Sequence, residues 1–260
     1  MRALNYFNRI VFLLILAFSL ITLCNSCDNT VNENNQNPKN TTDSESNKLE
    51  DFKSGTIVYS VEFPFFKDEQ LMEFLPKEYK LCVSGDAMYG EMNSSFNAIC
   101  NRFYSNNKSK ELTQTFDNMG RKYQTKIDQS SMTSILNQIP KMKIQDAEID
   151  TTVLGIPCKK TYAEFMIDSV PAVELIYTKE LDLPNTNWIN QYQEVDGFLL
   201  GYDVEQFGMR MRLRVKEIIP GEFSSNLENV YGKKPSEDYK TLNPMELQNE
   251  FRKLVESLSL

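Results

Sequence analysis

Four basic side chains alternate with apolar ones along residues 209–216, the densest group of residues in this sequence that could do chemistry. Their cationic groups could form an anion-binding stripe. Two acids on the preceding segment, Asp203 and Glu205, would face part of this stripe, which favours a solvated surface of mixed charge instead. The basic residues are Arg210, Arg212, Arg214 and Lys216.

Two smaller clusters could hold a metal ion or a nucleophile. Asp146, Glu148 and Asp150 would project about 7 Å apart from one side of a strand, but no glycine-containing ligand loop follows them, so an exposed acidic surface is favoured. Cys158 precedes two lysines, yet the sequence contains no His, the commonest general base and metal ligand. We therefore expect Cys158 to be a buried structural thiol, and we predict no catalytic residue, no cofactor and no metal site.

The basic stripe belongs to a segment, residues 198–219, whose alternation predicts a β-hairpin. Phe207-Gly208 is short enough to be its two-residue turn. Folding there pairs Asp203 with Arg212, and it places apolar groups opposite one another on the other side. That apolar side could line a cavity for an acyl chain, or it could be an ordinary core filled by the protein's own helices. Its candidate lining residues are Tyr202, Val204, Met209, Met211 and Leu213.

The rest of the chain predicts a mainly β (α+β) fold. With the hairpin, we count about ten strands in one curved antiparallel sheet that wraps around short helical pieces. Two such helices are expected at residues 67–75 and 130–139, and a C-terminal helix is expected to begin at Pro244, with Asn243 and Glu246 forming a capping box. The other predicted strands are residues 57–63, 79–88, 96–104, 111–117, 121–127, 143–153, 158–166 and 172–179.

The N-terminal region predicts export and a lipid anchor. Residues 1–26 combine two arginines with an apolar run too short to span a bilayer, which is typical of a signal peptide. Cys27 follows a small residue, as in the lipobox of bacterial lipoproteins, where the Cys is acylated. An ordinary signal peptide with incidental cysteines is the alternative. Residues 27–50 form a polar tether after that Cys, residues 51–235 the main domain, and residues 236–260 a linker with the amphipathic C-terminal helix.

Charge and cysteine content limit the partners. The net charge of −8 disfavours nucleic acid, so membrane contact would come from acyl chains. After removal of the signal peptide, the body keeps Cys82, Cys100 and Cys158. A Cys82–Cys100 disulfide with one buried thiol is possible, and so are three buried thiols.

Several short motifs resemble uncharacterised lipoproteins of the LolA/LolB-like superfamily. They are Gly-Thr-Ile-Val-Tyr at 55–59, Leu-Gly-Ile-Pro-Cys-Lys-Lys at 154–160, Leu-Ile-Tyr-Thr-Lys-Glu-Leu at 175–181, Gly-Phe-Leu-Leu at 197–200, and the basic strand from residue 209.

The resemblance covers most of residues 55–235 and implies a half-open antiparallel barrel with helices in its mouth. It also implies a non-enzymatic lipoprotein of the cell envelope, with the outer membrane favoured. Such a protein would bind an apolar ligand such as a lipid, or an acylated protein. The alternative is a structural or interaction lipoprotein with a solid core and no ligand cavity.

Overall fold

A computed structural model of the chain describes residues 52–66, 72–95, 99–146, 148–166, 170–206, 209–221 and 238–258. The predicted signal peptide, Cys27, the tether, most of the helix expected at residues 67–75, and the Phe207-Gly208 turn lie outside the described residues.

The described residues form a mainly β structure, one large curved sheet that does not close on itself. Its strands are β1 (Ser54–Glu62), β2 (Glu78–Ser84), β3 (Ala87–Asn93), β4 (Ile99–Asn106), β5 (Glu111–Asn118), β6 (Arg121–Ile127), β7 (Met142–Ile144), β8 (Ile149–Val153), β9 (Ile156–Phe165), β10 (Val173–Thr178), β11 (Phe198–Gln206), β12 (Met209–Pro220) and β13 (Lys240–Thr241).

The strand order is β13-β6-β5-β4-β3-β2-β1-β12-β11-β10-β9-β7, and β8 also pairs with β9. Neighbours are antiparallel except β13, which runs parallel to β6. The first strand therefore lies in the middle of the sheet, and its pairing with β12 joins two meanders that are distant in sequence.

The central hairpin has the register that its alternation predicts. Tyr202 pairs with Leu213, Val204 with Met211, and Asp203 with Arg212. On one face, which we call the inner face, Met211 and Leu213 are almost completely buried. A one-residue slip would have exposed both, so burial of this face fixes the register.

The predicted count of about ten strands was wrong, because the described residues contain 13. The strand expected at residues 79–88 is two strands, β2 and β3, joined by a turn in which Gly85 has φ +55°. The strand expected at 143–153 is β7 and β8, which lie along the same edge of β9 with a shift in register between them. Ile149 is 52% exposed on this edge. The short strand β13 was not anticipated.

Two α-helices and one 3₁₀ segment accompany the sheet in the described part of the chain. They are α1 (Gln129–Leu136), α2 (Pro244–Leu258) and the 3₁₀ turn Thr186–Ile189. The predicted capping box is confirmed: the Glu246 amide donates to Asn243 Oδ1, and the Asn243 amide donates to the Glu246 carboxylate, both at 2.9 Å. The two orphan amides at the start of α2 are thus satisfied.

Each helical piece is held on the sheet by a buried aromatic or aliphatic contact. In α2, Leu247 and Phe251 pack on Phe116 of β5. In α1, Met132 packs against Leu112 and Ile127. The 3₁₀ turn buries Trp188, whose indole N–H donates to Ser105 and Asn107 in and just after β4. The helices therefore lie over the β5–β6 end of the sheet.

Candidate functional site

A cavity of about 390 Å³ lies between the inner face of the sheet and the helical pieces, and we call it the central cavity. A volume in this range is typical of small-molecule sites, which span roughly 300–1,000 Å³. Its sheet side is lined by Tyr79, Gly90, Met92, Asn101, Phe103, Leu112, Gln114, Ile127, Tyr202, Val204, Met211 and Leu213. Its other side is lined mainly by residues of α1, the turn that follows it, the end of the 3₁₀ turn, and α2.

Four of the five residues proposed for a ligand lining border this cavity, namely Tyr202, Val204, Met211 and Leu213. The side chain of the fifth, Met209, lies outside the described residues. Tyr202, Met211 and Leu213 are buried at the border of the cavity, and Val204 is partly exposed there.

Helices α1 and α2 bound the cavity on the side away from the sheet. Met132, Ile135 and Leu136 of α1 line it, as do Leu247 and Phe251 of α2. A contact between Gln138 Nε2 and Met245 Sδ, at 3.3 Å, links the turn after α1 with α2. Each helix is fixed to the sheet by its own buried contacts, so neither fills the space over the hairpin.

Four tyrosine rings pack together beside the cavity. The Tyr59 ring lies 5.4 Å from Tyr79 and 5.9 Å from Tyr202, and the Tyr192 ring lies 6.1 Å from Tyr202. Burial raises the pKa of all four phenols. They are consequently neutral hydroxyl groups at physiological pH.

The polar groups of the lining are mainly side-chain amides and two tyrosine hydroxyls. The side-chain amide of Gln114 donates to Asn101 Oδ1 at 2.9 Å, so these two side chains satisfy part of each other's hydrogen-bonding capacity. Among the described residues that line the cavity, none is an acid and one is a base, Arg252, which is an exposed residue of α2. The cavity therefore suits an apolar guest with little net charge.

On the opposite face of the hairpin, the basic stripe is less solvated than the sequence suggests. Asp203 pairs with Arg212 as predicted, with Nε 3.2 Å from Oδ1, but its carboxylate is only 4% exposed. Arg214 bridges Asp203, at 3.7 Å, and Glu174, at 3.6 Å. Lys160 also pairs with Glu174. This arrangement is an ion-pair network of mixed sign, with Asp203 buried at its centre.

Arg210 lies over two aromatic rings. Its guanidinium carbon is 5.3 Å from the Phe65 ring centre and 5.1 Å from that of Phe165. Cation–π contacts of this kind hold an arginine in place without an anion. With Arg212 and Arg214 paired to acids and Lys216 paired to Glu78, the stripe is occupied by protein partners.

The acidic residues near β8 do not form a metal site. Asp146, Glu148 and Asp150 are all exposed, as predicted. Asp150 pairs with Lys159 at 2.6 Å, and Glu148 accepts a hydrogen bond from Tyr177. Among the residues that the structure describes, no group of three His, Cys, Asp or Glu side chains could hold a metal ion.

The three cysteines of the body are reduced, with no disulfide between them. Cys82 and Cys100 cannot form the disulfide considered above. Cys82 on β2 lies level with Tyr104 on β4, two strands away. Cys100 is four residues from Tyr104 along β4, so the Cα atoms of Cys82 and Cys100 are separated by roughly 16 Å. A disulfide requires less than about 7 Å. Cys158 is buried, donates to the Ile156 carbonyl oxygen, and has a pKa raised by burial, which fits a structural thiol.

A second, polar cleft of about 830 Å³ lies beside the 3₁₀ turn. Its lining mixes both signs of charge, including Lys179, Asp182 and Glu194. None of the described residues predicted for a ligand lining borders it.

Sequence reasoning missed the half of the central cavity that β2 to β4 provide. Tyr79, Met92 and Phe103 line it together with Gly90, where an added Cβ would lie 2.2 Å from the Phe103 ring. The Gly85-Asp86 pair is a hairpin signal that would have separated β2 from β3 and placed Tyr79 opposite Met92.

No helix in the described part of the chain has the length and apolar character needed to cross a membrane. A scan against protein-family models gives no match for this chain, and a search of curated proteins gives no significant match.

Proposed function

We propose that this chain is a non-enzymatic, lipid-anchored envelope protein that holds an apolar ligand, or the acyl part of a partner protein, in a half-open barrel. The observation that carries the proposal is the central cavity, which is bordered by the apolar side of the β11–β12 hairpin and covered by α1 and α2. Helices α1 and α2 are anchored over β5 and β6, in clusters separate from the core cluster that buries Met211 and Leu213, so the cavity remains between them and the hairpin.

The chemistry of the lining supports an elongated hydrocarbon guest. Met211 and Met132 lie on opposite sides of the cavity. Methionine is unbranched and polarisable, so it adapts to irregular apolar guests. Each methylene group moved from water into such a lining contributes about 0.8 kcal/mol. An acyl chain would thus be favoured without any charged recognition group.

The unclosed curved sheet, with helices over one face, is compatible with the half-open barrel that the LolA/LolB-like resemblance implies. The motifs behind that resemblance correspond to β1, β9, β10, β11 and β12, which are adjacent in the sheet. In this proposal the chain shares that superfamily's architecture, and α2 adds a cover at one end of the cavity.

Attachment to the envelope would depend on Cys27. Acylation there would hold the body on a membrane, most favourably the outer membrane, through the tether at residues 28–50. A Cys27→Ala variant should move from the membrane to the soluble envelope fraction and should lack acyl mass on its N-terminal peptide. A variant that stays in the membrane with unchanged mass would refute the anchor.

The ligand is tested by extracting the full chain from the envelope and identifying co-purifying lipids by mass spectrometry. We expect acyl lipids in stoichiometric amount with the wild type and little with Val204→Trp, whose indole would occupy the cavity. Thr115→Trp is the matched control, because Thr115 follows the cavity-lining Gln114 and so lies on the opposite face of the sheet. Equal lipid content in the three proteins, or none in any, would instead favour a structural or interaction lipoprotein that binds partners on its surface.

A further inference from the structure

Two tyrosine hydroxyls in the central cavity have no hydrogen-bond partner among the described residues. Tyr79 and Tyr202 both line the cavity, and each residue is 8% exposed. Neither hydroxyl oxygen is among the fully buried unpaired atoms of the described residues, so each borders space that a ligand atom could enter. Both groups can therefore gain from an acceptor that enters the cavity.

The neighbouring tyrosines differ in this respect. The Tyr59 hydroxyl donates to the Leu199 carbonyl oxygen at 2.8 Å, and the Tyr192 hydroxyl donates to the Asp203 carbonyl oxygen. Neither Tyr59 nor Tyr192 lines the cavity. The hydroxyls of Tyr59 and Tyr192 are thus bonded to backbone carbonyl oxygens, whereas those of Tyr79 and Tyr202, which line the cavity, have no such partner.

The charge of the lining selects the kind of acceptor. Burial keeps the pKa of Tyr79 and Tyr202 above the ordinary value, so both remain hydroxyl donors. In the described part of the lining the one basic residue is Arg252, which lies on α2 at an exposed position. A carboxylate beside Tyr79 and Tyr202 would be a buried charge without a counterion, which is unfavourable. The neutral oxygen atoms of an ester would accept such hydrogen bonds without that cost.

We propose that the central cavity takes an uncharged acyl ester, whose oxygen atoms accept hydrogen bonds from Tyr79 and Tyr202 while its hydrocarbon chain lies against the apolar lining. This inference rests on the proposed function, since it names the class of ligand that the same cavity holds. It predicts that the cavity prefers an ester to a fatty acid anion, and an ester to a hydrocarbon of the same length.

Stability measurements give the first test. Tyr79→Phe and Tyr202→Phe remove hydroxyls without a partner, so the urea midpoint of the ligand-free protein should stay the same or rise. Tyr59→Phe is the matched control, because it leaves the Leu199 carbonyl oxygen unpaired and should lower the midpoint. A loss for Tyr79→Phe and Tyr202→Phe as large as for Tyr59→Phe would show that their hydroxyls have protein partners and would overturn the inference.

Binding gives the second test. The full chain in lipid nanodiscs is exposed to three diazirine-bearing probes of equal length, namely a hydrocarbon, a carboxylic acid and its methyl ester. Photolabelling of β2, β11 and β12 is quantified by mass spectrometry over a range of probe concentrations. The ester should label at the lowest concentration, and its advantage over the hydrocarbon should fall about three- to tenfold for each hydroxyl removed.

The outcomes separate this inference from the proposed function. If the hydrocarbon and the ester label the cavity equally, or if the acid labels best, the ester preference is refuted while an apolar ligand site remains. If none of the probes labels the cavity strands, both proposals fail. A preference for the ester that persists in the Tyr79→Phe/Tyr202→Phe double variant would also refute the role of these two residues.

Discussion

The ion pair of Asp203 provides the sharpest test of how burial sets the strength of interactions in this sheet. Asp203 and Asp150 both lie on strands and both pair with a basic residue across the strand. The Asp203 side chain is 4% exposed, whereas that of Asp150 is 87% exposed. Replacing each by Asn preserves the shape of the side chain and removes the charge, so the two variants differ mainly in solvent access.

The expected losses differ severalfold. Breaking a fully buried ion pair costs about 3–5 kcal/mol. The Asp203 network is less extreme, because the Arg212 side chain is 40% exposed and Arg214 keeps its contact with Glu174. We therefore expect Asp203→Asn to lower the free energy of unfolding by about 2 kcal/mol, in the range for hydrogen bonds to charged groups. Asp150→Asn should cost at most about 0.5 kcal/mol, as for other exposed pairs.

Urea unfolding at neutral pH measures both losses, and a double-mutant cycle assigns the first one. Asp203→Asn combined with Arg212→Gln should lose less than the sum of the single variants, with a coupling of about 1 kcal/mol or more. Added salt should weaken the Asp150 pair much more than the Asp203 pair. Equal losses for the two Asn variants, or strict additivity with Arg212→Gln, would refute the idea that burial strengthens this network.

Two further predictions concern α2 and the response to acid. Phe251→Ala removes a ring whose centre lies 3.6 Å from that of Phe116, so it should weaken the docking of α2 by about 3–5 kcal/mol. Amide hydrogen exchange should become faster in α2 more than in β1, and the exposed-site control Asn249→Ala should change neither. An equal acceleration of exchange through the whole sheet would contradict this docking contact. Burial alone would raise the pKa of Glu91, but hydrogen bonds from Tyr89, Arg102 and Asn93 outweigh it and leave the pKa below the ordinary 4.5. The stability that Glu91 contributes is thus present above about pH 4.5 and is lost as the pH falls through its folded-state pKa. Glu91→Gln should therefore flatten this part of the acid unfolding curve. An unchanged curve would contradict the contribution of Glu91.

The central hairpin could be predicted in detail because its information is local. Alternation with period two fixed the faces, and a two-residue connection left one register in which Asp203 meets Arg212 and Tyr202 meets Leu213. The capping box of α2 is local in the same sense, since Asn243 and Glu246 are three residues apart. Where the physical cause lies within a few residues, the sequence is sufficient.

Features that depend on distant pairing could not be predicted. Tyr79 borders the cavity because β1 pairs with β2 on one side and with β12 on the other, and no residue pattern specifies that β12 returns to the first strand. The burial of Asp203 has the same origin. It requires Arg214 and Glu174, from different strands, to lie beside it. Alternation shows which face a side chain is on, but it does not show how much of that face is covered.

The apolar lining of the central cavity is the strongest physical reason to regard it as a site and not a packing defect. The cavity is partly open to solvent, so its exposed apolar surface contacts water while no guest is bound. Covering such surface is favourable by about 25 cal/mol per Å². The fold does not cover it from Gly90, where an added Cβ would lie 2.2 Å from the Phe103 ring. An apolar guest would supply the missing contacts, so the cavity is best understood as the unfilled half of a binding interaction.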